Sequence, residues 1–481
     1  MVWIICTIMI LSLCACNKKG EQTVGTNEGD KLIWYINFQE QQDLEQVEAE
    51  INKVVAEKIG MEVDIRRIDP GSYSEKLKVM FGANEEFDLC WIGGSQYPTY
   101  ASQGALMPLD DLLKEYAPKS YAQVPQEFWD ATRINGKIYG FVNYQTVARQ
   151  YGFVAQEEVL NQYNFNLDNI QKFEDIEPLL VEIQKNNPDD TPIAIFGSGL
   201  YDLLLGQYGM ERVKDFCVVR TDDPELKVVN MYEQPEYYEF CKLMRDWYNK
   251  DLIAKDAASI TNGLELRQKG VVKTWWDMTG LGFESTFQQS CGGRPVKTKT
   301  VVPPTVTTEN ITATMTGISR TSKHPEKAMQ LLEMVNTNEG NIYNMLCFGI
   351  EGEHYNKVGD NRIEQIPDSG YAPNNAWAWG NQFNAYLLPG QADDLWEQTK
   401  AMNDSAKKSP LLGFTLNTDP IKIELSQISA VNGEFASILE TGTVDPDETH
   451  QKFIDKMKVA GSDKVIEEVQ KQIDAWRAQN Q

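Results

Sequence analysis

The chain has 481 residues, 42% of them hydrophobic, so it can bury two domain-sized cores, or one large two-lobed body, without metal or disulfide staples. Its 70 acidic side chains outnumber 45 basic ones, and the formal charge of -25 disfavours nucleic acid and anionic membrane as partners. An anionic ligand would have to be held against that field, whereas a neutral one would not.

In chain order, residues 2–16 come first, an uncharged apolar run that ends in Leu13-Cys14-Ala15-Cys16 and gives way to a polar stretch with Gly20, Gly25 and Gly29. Crossing the hydrocarbon core takes about 20 apolar residues, so this run reads as an export signal. Its ending resembles a bacterial lipoprotein box. That resemblance implies a signal peptide over 1–16, a lipid on the Cys16 thiol, palmitate among its acyl chains, and a mature protein anchored at the extracellular face of the cell membrane. Residues 17–30 then read as a flexible tether. Cys90, Cys217, Cys241, Cys291 and Cys347 follow at irregular spacing, an odd number that allows no fully paired framework within one chain. Buried free thiols are expected.

Residues 31–36 read as a strand, 41–58 as a helix with Leu44, Val47, Ile51 and Val55 on one face, and 61–65 as a second strand. A helix over 73–81 and a buried strand over 87–92 complete a β-α-β-α-β order, which predicts a mostly parallel sheet with helices on both faces. Ligands of such sheets sit beyond the carboxyl ends of the strands, which nominates the segments 34–38 and 91–97, and in them Trp34, Asn37, Trp91 and Tyr97. Asp110 is placed as an acidic cap ahead of a short helix, and Asn135-Gly136 is a hairpin signal. Helices are expected over 176–186, 237–249 and 263–269, then a strand over 271–276 ending in Trp275-Trp276. Residues 301–306 and 311–319 read as strands returning to the first sheet. Pro325 marks the first turn of a helix over 325–336, and helices are expected over 423–439 and 462–478. In the last of these Ser462, Val465, Ile466, Val469, Ile473 and Trp476 share a face, so it packs on a body.

The lipid box, the early strand with Trp34, the turn at 135–140 and the helix start at 322–328 together resemble the extracellular solute-binding proteins of bacterial ABC importers. The block Gly349-Ile350-Glu351-Gly352-Glu353-His354-Tyr355 and the tail 461–476 resemble the oligosaccharide branch of those lipoproteins. The resemblance implies an α/β fold of the type II periplasmic-binding-protein kind, with two lobes around a hinge. It places one lobe at 31–142 plus 307–370 and the other at 143–306 plus 371–481, with hinge candidates at 141–145 and 303–308. It also implies a monomer that captures a neutral oligosaccharide between the lobes and delivers it to membrane permease subunits, with no cofactor.

Flat indole faces suit the C–H faces of sugar rings, and amides and carboxylates suit their hydroxyls. Trp275, Trp276 and Asp277 are candidates because alternation along a strand points only one of the paired indoles at a core. Trp377, Trp379 and Asn381 are candidates because 371–381 combines indoles and amides with little regular periodicity, a set costly to bury unless partnered. Asn143 and Tyr144 follow the first hinge candidate. With His only at 324, 354 and 450, a His-based metal cluster is not expected, and neither a Walker loop nor a nucleophile elbow is present. Two other classes stay open. One is a secreted glycosidase with an Asp/Glu pair, and the other is a binding protein, importer subunit or surface sensor, for a sugar, a peptide or another polar solute.

Overall fold

The computed structural model describes residues 31–195, 201–260, 263–373 and 375–480; the expected signal peptide, Cys16 and tether lie outside the described residues. The opening order is as read: β1 (Lys31–Asn37), α1 (Leu44–Ile59), β2 (Glu62–Ile68), α2 (Tyr73–Ala83) and β3 (Leu89–Gly93). β1 pairs in parallel with β2 from Lys31↔Glu62 to Asn37↔Ile68, and with β3 at Trp34↔Leu89. Its alternation feeds two cores. Leu32, Trp34 and Ile36 pack with Val47, Ile51 and Val55 of α1, while Tyr35 packs with Tyr73, Leu77 and Met80 of α2. The sheet is completed by Thr314–Ile318 against β3 and then Phe141–Val142, both antiparallel, so it is mixed rather than mostly parallel.

A second mixed sheet runs in the order Lys407–Lys408, Val296–Val306, Arg149–Gln156, Val272–Thr279 and Thr191–Ala194. The stretch 301–306 therefore belongs here, in one long strand paired with Arg149–Gln156, and not to the first sheet. Gly152 permits that pairing, because a Cβ there would lie 1.9 Å from the Lys299 carbonyl oxygen. The helices Lys422–Glu440, Pro446–Val459 and Ser462–Asn480 add Ile428, Leu439, Phe453, Met457, Val465, Val469 and Ile473 to the core that holds Phe153 and Trp276. The apolar face expected of the last helix is thus the buried one.

The two bodies divide differently from the expected boundaries. Tyr371, Trp379, Ala385 and Ala406 lie in the core of the first body, with Leu32 and Trp34, and not with the second. Aromatic packing holds them there: Trp379 meets Trp34 edge-on at 5.5 Å, and the Tyr371 hydroxyl donates to the Leu346 carbonyl at 2.9 Å. The chain passes between bodies around 143–148, 307–313 and 406–410.

At Asn135-Gly136 the hairpin forms as expected, both residues having positive φ (51° and 78°) between paired two-residue strands. Asp110 does not cap its helix. It occupies the first turn of Asp110–Tyr116, where its carboxylate accepts from Arg133 at 2.7 Å and from the Ile138 N–H at 3.0 Å. All five described cysteines are buried and unpaired.

Candidate functional site

β1 and β3 end side by side, and the segment around 375–379 folds over their carboxyl ends. Trp34, Ile36, Asn37, Phe38, Trp91, Thr316, Asn375, Ala378 and Trp379 line the small pocket enclosed there. About 10 Å³ of it admits the centre of a water-sized sphere, close to what one oxygen atom with its hydrogens needs. None of the lining side chains is charged.

Trp379 is fixed from two sides. Its ring meets Trp34 and Phe38, each at 5.5 Å and edge-on, and its indole N–H donates to Asn375 Oδ1 at 3.0 Å. The indole nitrogens of Trp34 and Trp91 and the amide oxygen of Asn37 are, by contrast, buried without a partner in the protein. Such groups are costly unless a ligand or water completes them.

Trp377, on the turn that carries Ala378 and Trp379, is 42% exposed and is the one exposed tryptophan among the described residues. The turn is pinned from below. The Trp377 carbonyl accepts from Asn143 Nδ2 and from the Thr314 hydroxyl, each at 3.2 Å, and that hydroxyl accepts from Gln145 Nε2 at 2.7 Å. Asn143 is therefore a buried support beneath the turn.

Four of the twelve nominated residues thus share one pocket, Trp34, Asn37, Trp91 and Trp379, with Trp377 on the adjoining turn. The other seven lie outside that pocket and make their contacts within the protein, although the indole nitrogens of Trp275 and Trp276 are likewise buried without a partner. Tyr97 is buried, its hydroxyl donating to the Thr132 carbonyl at 2.5 Å and accepting from the Tyr139 N–H at 3.0 Å. Burial pushes its phenol pKa well up. Tyr144 packs edge-on against Phe128 and Phe383. Alternation does send Trp275 and Trp276 to opposite faces, but both faces are cores. Trp275 meets Phe287 at 5.8 Å under the Arg267 guanidinium, and Trp276 meets Phe153 at 5.0 Å. Asp277 pairs with Arg267 at 3.3 Å. Asn381 caps the short turn Gln382–Asn384 by accepting from the Phe383 N–H.

The 349–355 block is likewise a joint. His354 is 1% exposed; its Nδ1 accepts from the Ile350 N–H at 2.9 Å, which leaves Nε2 to donate to Asp43 at 3.2 Å, just ahead of α1. Ile36 and Phe38 fall within the nominated segment 34–38 without having been singled out, and sequence reasoning missed Thr316, Asn375 and Ala378. Thr316 reaches the pocket on a strand distant in the chain, a pairing with no local signal. Asn375 lay within the indole-amide stretch and could have been named from it. No cluster of three or more His, Cys, Asp or Glu able to hold a metal occurs among the described residues.

A larger hollow, about 330 Å³, lies elsewhere, between 221–226, Pro410, Trp476 and Arg477. The Arg477 guanidinium is spent there on the carbonyls of Pro224 and Glu225. No lining side chain of this hollow carries a buried polar atom without a partner.

Residues 41–342 match the family model described as bacterial extracellular solute-binding protein, and residues 410–478 match a domain of unknown function, DUF3502. A Streptococcus pneumoniae protein described as a carbohydrate ABC transporter substrate-binding protein is 30% identical over 477 residues, 96% of this chain and 95% of its own. The crystal structure of an N-glycan transport solute binding protein, NgtS, from Streptococcus pneumoniae is similar with a TM-score of 0.83 at 26% identity, covering 94% of this chain and 100% of that one. The complex of that protein with Man5GlcNAc gives 0.73 at 27% identity, covering 94% and 99%. The two-lobed α/β architecture of the type II periplasmic-binding-protein kind is the one expected. With its two five-stranded sheets, the crossings between them and a family match over more than half its length, this chain belongs to the bacterial extracellular solute-binding proteins.

Proposed function

We propose that this protein captures a neutral oligosaccharide outside the cell and delivers it to the permease subunits of an ABC importer, held at the membrane by a lipid on Cys16. The observation that carries the reading is the uncharged pocket at the strand ends of the first sheet, where indole and amide groups with unmet hydrogen-bonding capacity adjoin the exposed face of Trp377. A sugar ring offers an apolar face to an indole and hydroxyls to such groups. NgtS, similar to this chain over nearly all its length, is solved with Man1GlcNAc and Man5GlcNAc, and the 30% identical relative is described as a carbohydrate importer component. The pocket wall has no Asp or Glu, whereas glycoside hydrolysis ordinarily needs two carboxylates about the scissile bond. That composition favours capture over cleavage.

The mechanism is mechanical. Solute binds on the first body, the second closes over it, and the closed form docks on the permease, a ligand-driven shift between two arrangements. Titrating the soluble form that begins after Cys16 with mannosyl-N-acetylglucosamine oligosaccharides, monosaccharides and short peptides, by tryptophan fluorescence and calorimetry, tests the reading. One-to-one saturable binding of an oligosaccharide without breakdown is the expected result, and hydrolysis or binding of peptides alone would overturn it. For the anchor, labelled palmitate should enter the full-length protein in cells and fail to enter Cys16→Ser.

A further inference from the structure

Three of the residues that line the pocket each carry a buried polar atom without a partner in the protein. An indole N–H can only donate, and an amide oxygen can only accept. Trp34 and Trp91 supply two donors and Asn37 Oδ1 supplies one acceptor. Trp379 adds no third donor, because its N–H is already committed to Asn375. Two donors and one acceptor are the complement of a single hydroxyl, which has two lone pairs and one hydrogen. The space matches in size, since the pocket admits about one oxygen atom.

We propose that this pocket is a subsite for one hydroxyl of the bound saccharide, which accepts from the Trp34 and Trp91 indoles and donates to Asn37 Oδ1. This rests on the oligosaccharide reading and goes beyond it by naming the group that must be free on the sugar unit seated in the first body. It also sets what is refused. A carboxylate has no hydrogen for Asn37 Oδ1, would set negative oxygen against amide oxygen, and finds no Lys or Arg in the lining. A methyl ether lacks the hydrogen and exceeds the space. The pocket therefore selects neutral, unsubstituted sugar units over uronic acids and capped ones.

The test is calorimetry of the purified protein with the disaccharide Man1GlcNAc and with its singly deoxygenated analogues, on wild type, Trp91→Phe and Asn37→Ala. Trp91→Phe keeps the ring and removes the N–H; melting curves matching wild type exclude misfolding. Both variants should bind Man1GlcNAc roughly tenfold or more weakly. One deoxy analogue should lose a similar factor on wild type and little further on either variant, because the partner it lacks is already gone. Wild-type affinity in both variants, with or without altered melting, would overturn the subsite and mark the pocket as a seat for structural water. A deoxy penalty that persists unchanged in the variants would overturn it as well. If wild type bound neither Man1GlcNAc nor Man5GlcNAc, the oligosaccharide reading itself would fall, and the subsite with it.

Discussion

Trp276, between Trp275 and Asp277, and Trp377, between two alanines, are both indoles nominated from the sequence, yet the structure gives them opposite surroundings. Trp276 is wedged against Phe153 and Phe173, whereas Trp377 leaves 42% of its surface to solvent above a turn braced by Asn143 and Thr314. Trp276→Ala should therefore cost about 3–5 kcal/mol of stability through the cavity it opens, read as a lowered urea midpoint. Trp377→Ala should leave that midpoint nearly unchanged and weaken oligosaccharide binding instead, as read by calorimetry. A swap of the two phenotypes would remove Trp377 from the site. Glu440 is a second residue whose behaviour its surroundings dictate. It is fully buried, one carboxylate oxygen accepts from Tyr237 at 3.3 Å and the other has no partner, and burial pushes its pKa up to about 8. Between the ordinary carboxylate range and about 8 the folded state binds more protons at this group than the unfolded chain, so its contribution to stability falls as pH rises through that window and levels off above it. Glu440→Gln should flatten this slope, seen as a wild-type-minus-variant difference in unfolding free energy that changes between about pH 5 and about pH 8. Parallel pH profiles would show that the carboxyl is not held neutral.

Among the elements, those set by nearby sequence were legible and those set by distant pairing were not. The first β-α-β-α-β run, the Asn135-Gly136 hairpin and the helix Pro325–Asn336 each carry their own periodicity or turn chemistry, and each forms where expected. That run also led to Trp34, Asn37 and Trp91, because strand ends follow from element order. Residues 301–306 carry an equally clear strand pattern, but strand pattern does not say which sheet receives it; Gly152, about 150 residues earlier, decides that. The stretch 371–381 has little regular period to read, and its place in the first body follows from Trp379 and Tyr371 finding partners there. The crossings show the same dependence on distant contacts. Asn403, 2% exposed, accepts from the Val147 and Ala148 N–H groups at 3.1 and 3.0 Å and donates to the Gln145 carbonyl at 2.8 Å, so one side chain distant in the chain satisfies three backbone groups of the first crossing segment. Asn403→Ala strands those backbone groups and should cost roughly 1–3 kcal/mol. Denaturant unfolding checks it, and a loss below a few tenths of a kcal/mol would mean that the segment re-pairs without the amide.

At the scale of the whole molecule, two bodies with separate cores are joined by three short crossings, each held by a few named hydrogen bonds. Asn403 ties the first; Thr307 caps the helix Thr308–Thr312 of the second, and Asn310 reaches back to the Thr305 carbonyl; the third pairs Lys407–Lys408 with Thr305 and Val306. On the capture reading proposed above, these crossings are the hinges about which the packed bodies rotate while their cores stay intact. The pocket residues all belong to the first body or to the segment folded on it, so a ligand can bind there before the second body arrives. Closure then follows only if the ligand gains contacts with the second body that the open form lacks. Small-angle scattering of the protein saturated with Man5GlcNAc should show a smaller radius of gyration than the free protein, while Trp377→Ala at the same glycan concentration should show a smaller change because less of it is occupied. The formal charge of -25 provides an independent check on the kind of ligand that drives the change. With no charged side chain in the pocket wall, the affinity for a neutral glycan should vary by less than about twofold up to roughly 0.5 M salt, where Debye screening leaves only a few ångströms of reach. A steep salt dependence would place a charged group at the point of contact, and an unchanged radius at proven saturation would leave binding without closure.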